Sequence, residues 1–311
     1  MNSVRMQFLL VGTMAIWGLN ISAIKVLTVY FEPLAIACFR MAIAAVIINF
    51  TLVGSRQPIP LLRISPSQWL RFVLCACFMI YGNQIFFTTG MRDASATNSS
   101  LIMALSPLVA SILAAAVFRE AITGLRLLGI ALGFGGVFAV VLSGQSASMS
   151  GPNWGDLRIF LSMVSFVVGG MMIQDLARQF NSIFISSIVY TLGAIFLCLH
   201  ALVDGSADFS AKALLAPGLW PWLLMIFTGI IATAICNMFW NRAIAELGVA
   251  RTSLYQYWIP VFGVGFAMLT LGEPFTLWHV VGLLGILLGT YLGTRRAAPK
   301  PAAPKPAEVA K

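Results

Sequence analysis

The sequence predicts an all-α integral membrane protein, with ten transmembrane helices arranged as two inverted five-helix repeats. Three observations carry that prediction. First, 59% of the 311 residues are hydrophobic and 9% charged, and mean hydropathy is +0.93. So few polar groups cannot cover a water-soluble globule of this size. Second, the apolar residues fall into separate blocks of roughly 20, the length that crosses a bilayer as a helix. Third, one stretch occurs twice. Ser106-Pro107-Leu108-Val109 followed by Phe118-Arg119-Glu120 returns as Ile259-Pro260-Val261-Phe262 followed by Leu271-Gly272-Glu273, at a single offset (260 − 107 = 153 and 273 − 120 = 153). Phe86 then falls on Phe239, Ala96 on Val249, Ser99 on Thr252, Ser100 on Ser253 and Gly129 on Gly282.

The helices are expected at roughly 6–24, 33–53, 68–89, 94–117, 124–142, 155–177, 183–203, 219–243, 248–271 and 276–294. Met6 to Ile24 behind Arg5 has the look of a secretory signal, but its run contains Trp17 and Asn20 and more spans follow, so it reads as a retained helix. The repeats occupy 1–145 and 146–295. The segment 296–311, an alternation of Pro, Ala and Lys, has no apolar face to bury and reads as a disordered tail. Five helices per unit is an odd number, so the second unit enters the membrane from the opposite side. Inverted repeats of this kind place a binding site near the midplane, between the halves, and alternate its access.

Lys and Arg set the orientation. An N-terminus inside puts Arg5, Arg56, Arg63, Arg71, Arg119, Arg126, Arg178, Arg242, Arg251, Arg295 and Arg296, with Lys300, Lys305 and Lys311, on the cytoplasmic side. The outer side receives Lys25, Arg92, Arg158 and Lys212. The expected location is therefore a bacterial inner membrane, multi-pass, with both termini cytoplasmic. The net charge of +9 then faces anionic headgroups rather than nucleic acid. Cys38, Cys75, Cys77, Cys198 and Cys236 all fall inside spans, without metal-ligand spacing, and read as packing residues. No phosphate loop, metalloprotease motif or nucleophile elbow occurs, and His200 and His279 lie far apart in sequence, so no cofactor and no enzyme activity is expected.

Trp17-Gly18-x-Asn20-x-x-x-x-Lys25, Pro33 followed by Arg40, and the twice-used pattern of small residues, Pro107 or Pro260, then Glu120 or Glu273, resemble the EamA-type branch of the drug/metabolite transporter superfamily over about residues 6–294. The resemblance implies a ten-helix carrier whose cavity is lined mainly by helices one, three, four, six, eight and nine, similar to exporters of amino acids or other small metabolites. Two departures stand out: Gly169-Gly170 replaces the Trp-Gly-x-Asn pattern in the second half, and Gly193 sits where the 153 offset places a counterpart of Arg40. Small multidrug antiporters of the wider superfamily carry a glutamate in their first helix, and the first helix here has no acidic residue.

Substrate contacts are sought among polar and aromatic side chains within spans. Thr13, Trp17 and Asn20 share one stripe of the first helix. The third helix offers Tyr81, Asn83, Gln84 and Phe87, and its repeat partner, the eighth, offers Asn237, Trp240 and Asn241; two amide-bearing helices related by symmetry suit a ligand with donors and acceptors. In the ninth, Tyr255, Gln256 and Trp258 precede Pro260, and Tyr255 and Trp258 share a face with Phe262. Interhelical packing and interfacial anchoring are the alternative roles. Arg40 lies about 10 Å deep at 1.5 Å per residue from Pro33; it is a possible anion partner, with snorkelling or a structural pairing as alternatives. Pro107 and Pro260 each remove a backbone hydrogen bond and are candidate hinges. Glu120 and Glu273 read as caps for the helices that begin near Thr123 and Thr276. Asp175, late in the sixth helix, is the acidic candidate for proton coupling or a charge at the cytoplasmic interface.

The reading that fits is a secondary transporter exporting amino acids or amino-acid-derived metabolites, an opine-type metallophore among them, by alternating access. The alternatives are efflux of aromatic or cationic toxic compounds, uptake, or a membrane enzyme or receptor-like scaffold. Expected partners are a small-molecule substrate, membrane lipids and protons as coupling ion, with no nucleic acid. Either a monomer or a homodimer is compatible with the internal duplication.

Overall fold

The computed structural model describes residues 3–55, 64–118, 124–144, 154–205 and 216–294. Ten helical rods follow one another: α1 Ser3–Leu27, α2 Pro33–Gly54, α3 Pro66–Asp93, α4 Ala96–Met103 with Ser106–Phe118, α5 Gly124–Gly144, α6 Trp154–Leu176, α7 Ser182–Asp204, α8 Leu219–Leu247, α9 Val249–Leu271 and α10 Leu277–Thr294. Among the described residues eight of these are long and apolar enough to cross a membrane, and α5 and α10 contribute the shorter apolar stretches Leu127–Gly136 and Leu277–Leu292. The starts of α3 and α8, α4 and α9, and α5 and α10 each differ by 153 (219 − 66, 249 − 96, 277 − 124). Glu120, the Pro/Ala/Lys tail and Lys212 lie outside the described residues.

The offset is not constant. The ends of α1 and α6 (176 − 27) and the starts of α2 and α7 (182 − 33) differ by 149. The second unit thus carries four more residues between the start of its second helix and the start of its third. This corrects the counterpart of Arg40 from Gly193 to Val189, and pairs Trp17 with Phe166 and Thr13 with Ser162. The glycines that break the first-half pattern have a packing reason: a Cβ on Gly169 would lie 2.6 Å from Met79 Cβ, and one on Gly193 would strike Ile80. Both glycines let α3 sit tightly against the second unit.

Contacts between helices respect the duplication. Helix α2 packs on its own counterpart α7, and α5 on its counterpart α10, while α1 meets α8 and α9 as α6 meets α3 and α4. Small residues permit this where no hydrophobic drive between helices exists. In the α5–α10 seam a Cβ on Gly136 would lie 2.6 Å from the Gly282 carbonyl oxygen, and one on Gly285 3.1 Å from Gly136 Cα.

Two irregularities recur at equivalent places. Helix α3 widens into a π-helix over Cys77–Gly82 and α8 over Thr228–Ile235, ending 153 residues apart (235 − 82). Helix α4 breaks at Ala104 and Leu105, whose N–H groups reach back three residues to Leu101 and Ile102. Helix α9 tightens to a 3₁₀ turn over Leu254–Tyr257. Each break ends within one turn before Pro107 or Pro260, because the proline ring clashes with the carbonyl four residues earlier and offers no N–H.

Gly136→Ala should lower the melting temperature of the purified protein, through overpacking of about 1–3 kcal/mol. Gly135→Ala, whose Cβ would meet nothing within 4 Å, should be neutral or mildly stabilising.

Candidate functional site

The π-turn of α8 builds the middle of the molecule. A wide turn leaves carbonyls outside the regular ladder: Trp17 Nε1–H donates to Ala232 O at 2.9 Å, and the Thr233 hydroxyl donates to Thr228 O at 2.8 Å. Thr233 Oγ1 thereby presents its lone pairs to α2, where it accepts from Arg40 Nη2 at 2.9 Å. Arg40 is 3% exposed, so it does not snorkel. Its Nη1 donates to Gln84 Oε1 at 3.0 Å, Gln84 Nε2 donates to Asn83 Oδ1 at 2.7 Å, and Asn83 Nδ2 donates to the Ser162 carbonyl and hydroxyl at 3.1 and 2.9 Å. This chain of amides fixes the direction of every donor. Arg40 Nε has no partner, and among the described residues no carboxylate pairs with the guanidinium.

A cavity of about 90 Å³ adjoins this network. Its lining comes from α1, α3, α4, α6, α8 and α9, with Arg40 of α2 and Tyr190 of α7 added. No acidic residue is in the lining. Asn20 Oδ1 and Gln256 Oε1, both buried in its walls, have no hydrogen-bond partner. The apolar side includes Trp17 and Phe166, ring centroids 5.7 Å apart and edge to face. The cavity therefore offers an uncompensated cation, two free amide oxygens and an aromatic wall. The room is well below the roughly 300–1,000 Å³ of a metabolite pocket, so a larger occupant has to spread these helices.

Seven of the residues singled out from sequence meet here: Trp17, Asn20, Arg40, Asn83, Gln84, Asn237 and Gln256. Five stand elsewhere. The Tyr81 hydroxyl pairs with His200 Nδ1 at 3.1 Å, toward α7. Trp240 is fully buried behind Trp17, centroids 5.1 Å apart. Asn241 donates to the Ser186 hydroxyl at 2.9 Å and ties α8 to α7. Tyr255 packs half-buried against the core. Trp258 stacks on Phe262 but is 45% exposed, on the outer face of α9. The 3₁₀ turn changes the residue spacing ahead of Pro260, so an ideal-helix projection misassigns the face of Tyr255 and Trp258. Pro107 and Pro260 lie at the helix breaks described above. Tyr190, Met79 and Thr233 carried no sequence signal; Met79 and Thr233 enter the lining from the two π-turns and Tyr190 from α7.

Both ends of the bundle are tied by polar contacts. At one end Arg71 pairs with Asp175 at 3.0 Å, both about half exposed, and Gln174 Oε1 accepts from Val249 N at 2.9 Å. Asp175 is thus a surface ion-pair partner. At the other end Glu273 does cap a helix, but not the one that follows it: its two carboxylate oxygens accept from Ala96 N and Thr97 N at 2.9 and 2.8 Å, at the start of α4. Lys25 Nζ donates to the carbonyls of Met91, Arg92 and Ala94 at 3.0, 3.1 and 2.7 Å, at the end of α3.

Ten helices in two inverted repeats around a central polar cavity define a membrane transporter. The EamA-like transporter family model matches residues 4–142 and again 153–295, and the chain belongs to that family. It is similar to the uncharacterized transporter YyaM of Bacillus subtilis (strain 168), 25% identical with 93% of each chain covered. A probable amino-acid metabolite efflux pump of Salmonella typhimurium is 26% identical, with 92% of this chain and 93% of the relative covered. A probable terminal-alkyne amino-acid exporter of Streptantibioticus cattleyicolor is 24% identical, with 94% and 96% covered.

Glu273→Ala should strip the cap from α4 and lower stability by about 1 kcal/mol. Glu246→Ala, which removes an exposed Arg242 pair, should stay within about 0.5 kcal/mol. Thermal melts of the two variants in one detergent check the contrast.

Proposed function

We propose that the chain is a secondary transporter that exports amino acids or amino-acid-derived small metabolites across a bacterial inner membrane, alternating access between units 1–145 and 146–295. The observation that carries this reading is Arg40. A guanidinium near the bilayer centre costs about 2.5–3.5 kcal/mol on insertion scales, and here two neutral side chains are its hydrogen-bond partners. A substrate carboxylate supplies the missing counter-charge through charge-assisted bonds, the geometry for which Arg is suited. The free amide oxygens of Asn20 and Gln256 accept from an ammonium, and the Trp17 and Phe166 rings take an apolar side chain.

The same electrostatics disfavours efflux of cationic compounds, since the lining holds a positive charge and no carboxylate. Export as the direction is supported by the names of the Salmonella and Streptantibioticus relatives. The excess of Lys and Arg on alternate loops supports cytoplasmic termini, which puts the Lys25 end outside. Protons as coupling ion belong to the same proposal, as do a monomer or homodimer and function without a cofactor.

A thermal-shift series with L-amino acids and their methyl esters, followed by liposome flux of each stabilising compound, tests the reading. Free acids should raise the melting temperature by binding the folded state. Arg40→Gln should weaken free acids at least about ten-fold, the loss of one charge-assisted contact, while changing esters little. Equal loss for both would remove Arg40 from the substrate site. Trp258→Ala should leave flux near wild type.

A further inference from the structure

At the Lys25 end a second buried ionisable side chain has, among the described residues, no ion-pair partner. Asp156, in the first turn of α6, is 2% exposed, and the adjacent Gly155 lies directly against Asp93 and Ala94 of the α3 terminus. Oδ2 accepts from Asn98 Nδ2 at 3.2 Å; Oδ1 has no partner. Every other charge around it is committed. Lys25 of α1, which acts on Asp156 through space, spends its Nζ on the three α3 carbonyls. Asp93 holds Arg158 at 2.9 Å, Arg92 holds Glu32 at 3.1 Å, and Glu273 holds the two N–H groups of α4.

The remaining titratable neighbour is His279 of α10, and its proton can be placed. Thr276 N–H donates to Nδ1 at 2.9 Å, so that nitrogen carries a lone pair and the neutral ring has its hydrogen on Nε2. Nε2–H then donates to Asn98 Oδ1 at 3.2 Å, which turns the Asn98 amide so that its NH₂ faces Asp156. The donors run in one direction, from Thr276 through His279 and Asn98, and end on Asp156. An NH₂ aimed at the carboxyl repels a metal cation, and among the described residues no three His, Cys, Asp or Glu side chains converge on a metal site. The helix start favours an anion by less than the loss of hydration disfavours it.

We propose that Asp156 is a protonation switch for the Lys25 end, neutral with its proton on Oδ1 while that end is sealed and ionised when it opens, with Asn98 and His279 as positioning residues. The inference rests on the transport reading above. Opening this end admits water to Asp156. The Oδ1–H bond breaks, its electron pair stays on the carboxylate, and the proton passes to water on the opened side. Resealing over Asp156 takes a proton back from the same side, so opening is linked to the pH on that side and no net charge crosses the membrane. The seal consists of the Glu273 cap on α4 and the Lys25 clasp on α3, and both touch helices that pack on Asp156.

Two measurements on the full-length purified protein test this without a substrate. Infrared difference spectra between acid and neutral pH, with aspartate carbonyl-labelled by ¹³C, should show an isotope-sensitive carboxylic-acid band in the wild type. The band should vanish in Asp156→Asn, persist in Asp93→Asn, and titrate at a different pH in Asp156→Glu and Asn98→Leu. Hydrogen exchange of the 94–103 segment, corrected for the intrinsic rate, should lose at least ten-fold protection in the wild type as pH rises through that titration. Asp156→Asn should keep its protection. The proposal is overturned by a wild type with no labelled carboxylic-acid band, by a band that survives in a folded Asp156→Asn, or by equal pH dependence of exchange in both proteins. Should Asp156→Asn fail to fold, the isotope shift in the wild type and the displaced titration in Asp156→Glu decide. Both effects in a protein that moves no solute would remove the transport reading and leave the proton site.

Discussion

A guanidinium buried within the thickness of a bilayer dictates much of this structure. Arg40 is buried away from bulk water, so protein groups have to solvate much of it, and each of those groups needs its own partner in turn. Gln84 serves only because Asn83 takes the other end of its amide, and Asn83 serves only because α6 offers Ser162. Thr233 serves because a π-turn lets its hydroxyl donate five residues back. The network leaves Nε unpartnered beside the cavity. A fully satisfied arginine would be a structural residue. This one is held in place with donor capacity to spare.

The two units supply that network unequally. By the helix ends, Arg40 stands where the second unit has Val189, and Trp17 where it has Phe166. The duplicated helices α3, α4, α8 and α9 keep their π-turns and proline breaks in register, so the irregular backbone is common to both halves. Chemistry that distinguishes a carboxylate from its surroundings is concentrated in the first. Symmetry thus provides the moving frame, and divergence of the first two helices of each unit provides the site.

Much of the fold was legible because bilayer thickness and duplication leave strong marks. Blocks of roughly 20 apolar residues and the Pro107/Pro260 offset gave the rods and their order. The cavity was partly legible for the same reason: Asn20, Asn83, Gln84 and Asn237 are polar side chains on apolar helices, and they converge. Side-chain direction was lost where the helix departs from 3.6 residues per turn. Tyr255 lies inside a 3₁₀ turn and Trp258 directly follows it, and Thr233 lies inside a π-turn that no residue pattern announces. Glu273 shows a different limit: its capping role was readable, but the recipient lies 177 residues away. Asp156 was overlooked because an acid at a helix start is ordinary in sequence; its burial and its unpaired oxygen are tertiary facts.

The account turns on one contact that no described residue of the protein provides. The measurement that tests it most directly is an experimental structure of the protein with a bound amino acid, at a resolution that orients the ligand. The account predicts the carboxylate within hydrogen-bond distance of Arg40, the ammonium toward Asn20 or Gln256, and a wider space between α1 and α9. An amino acid bound with its carboxylate away from Arg40, or an Arg40 newly paired with an acidic residue of the protein, would contradict it.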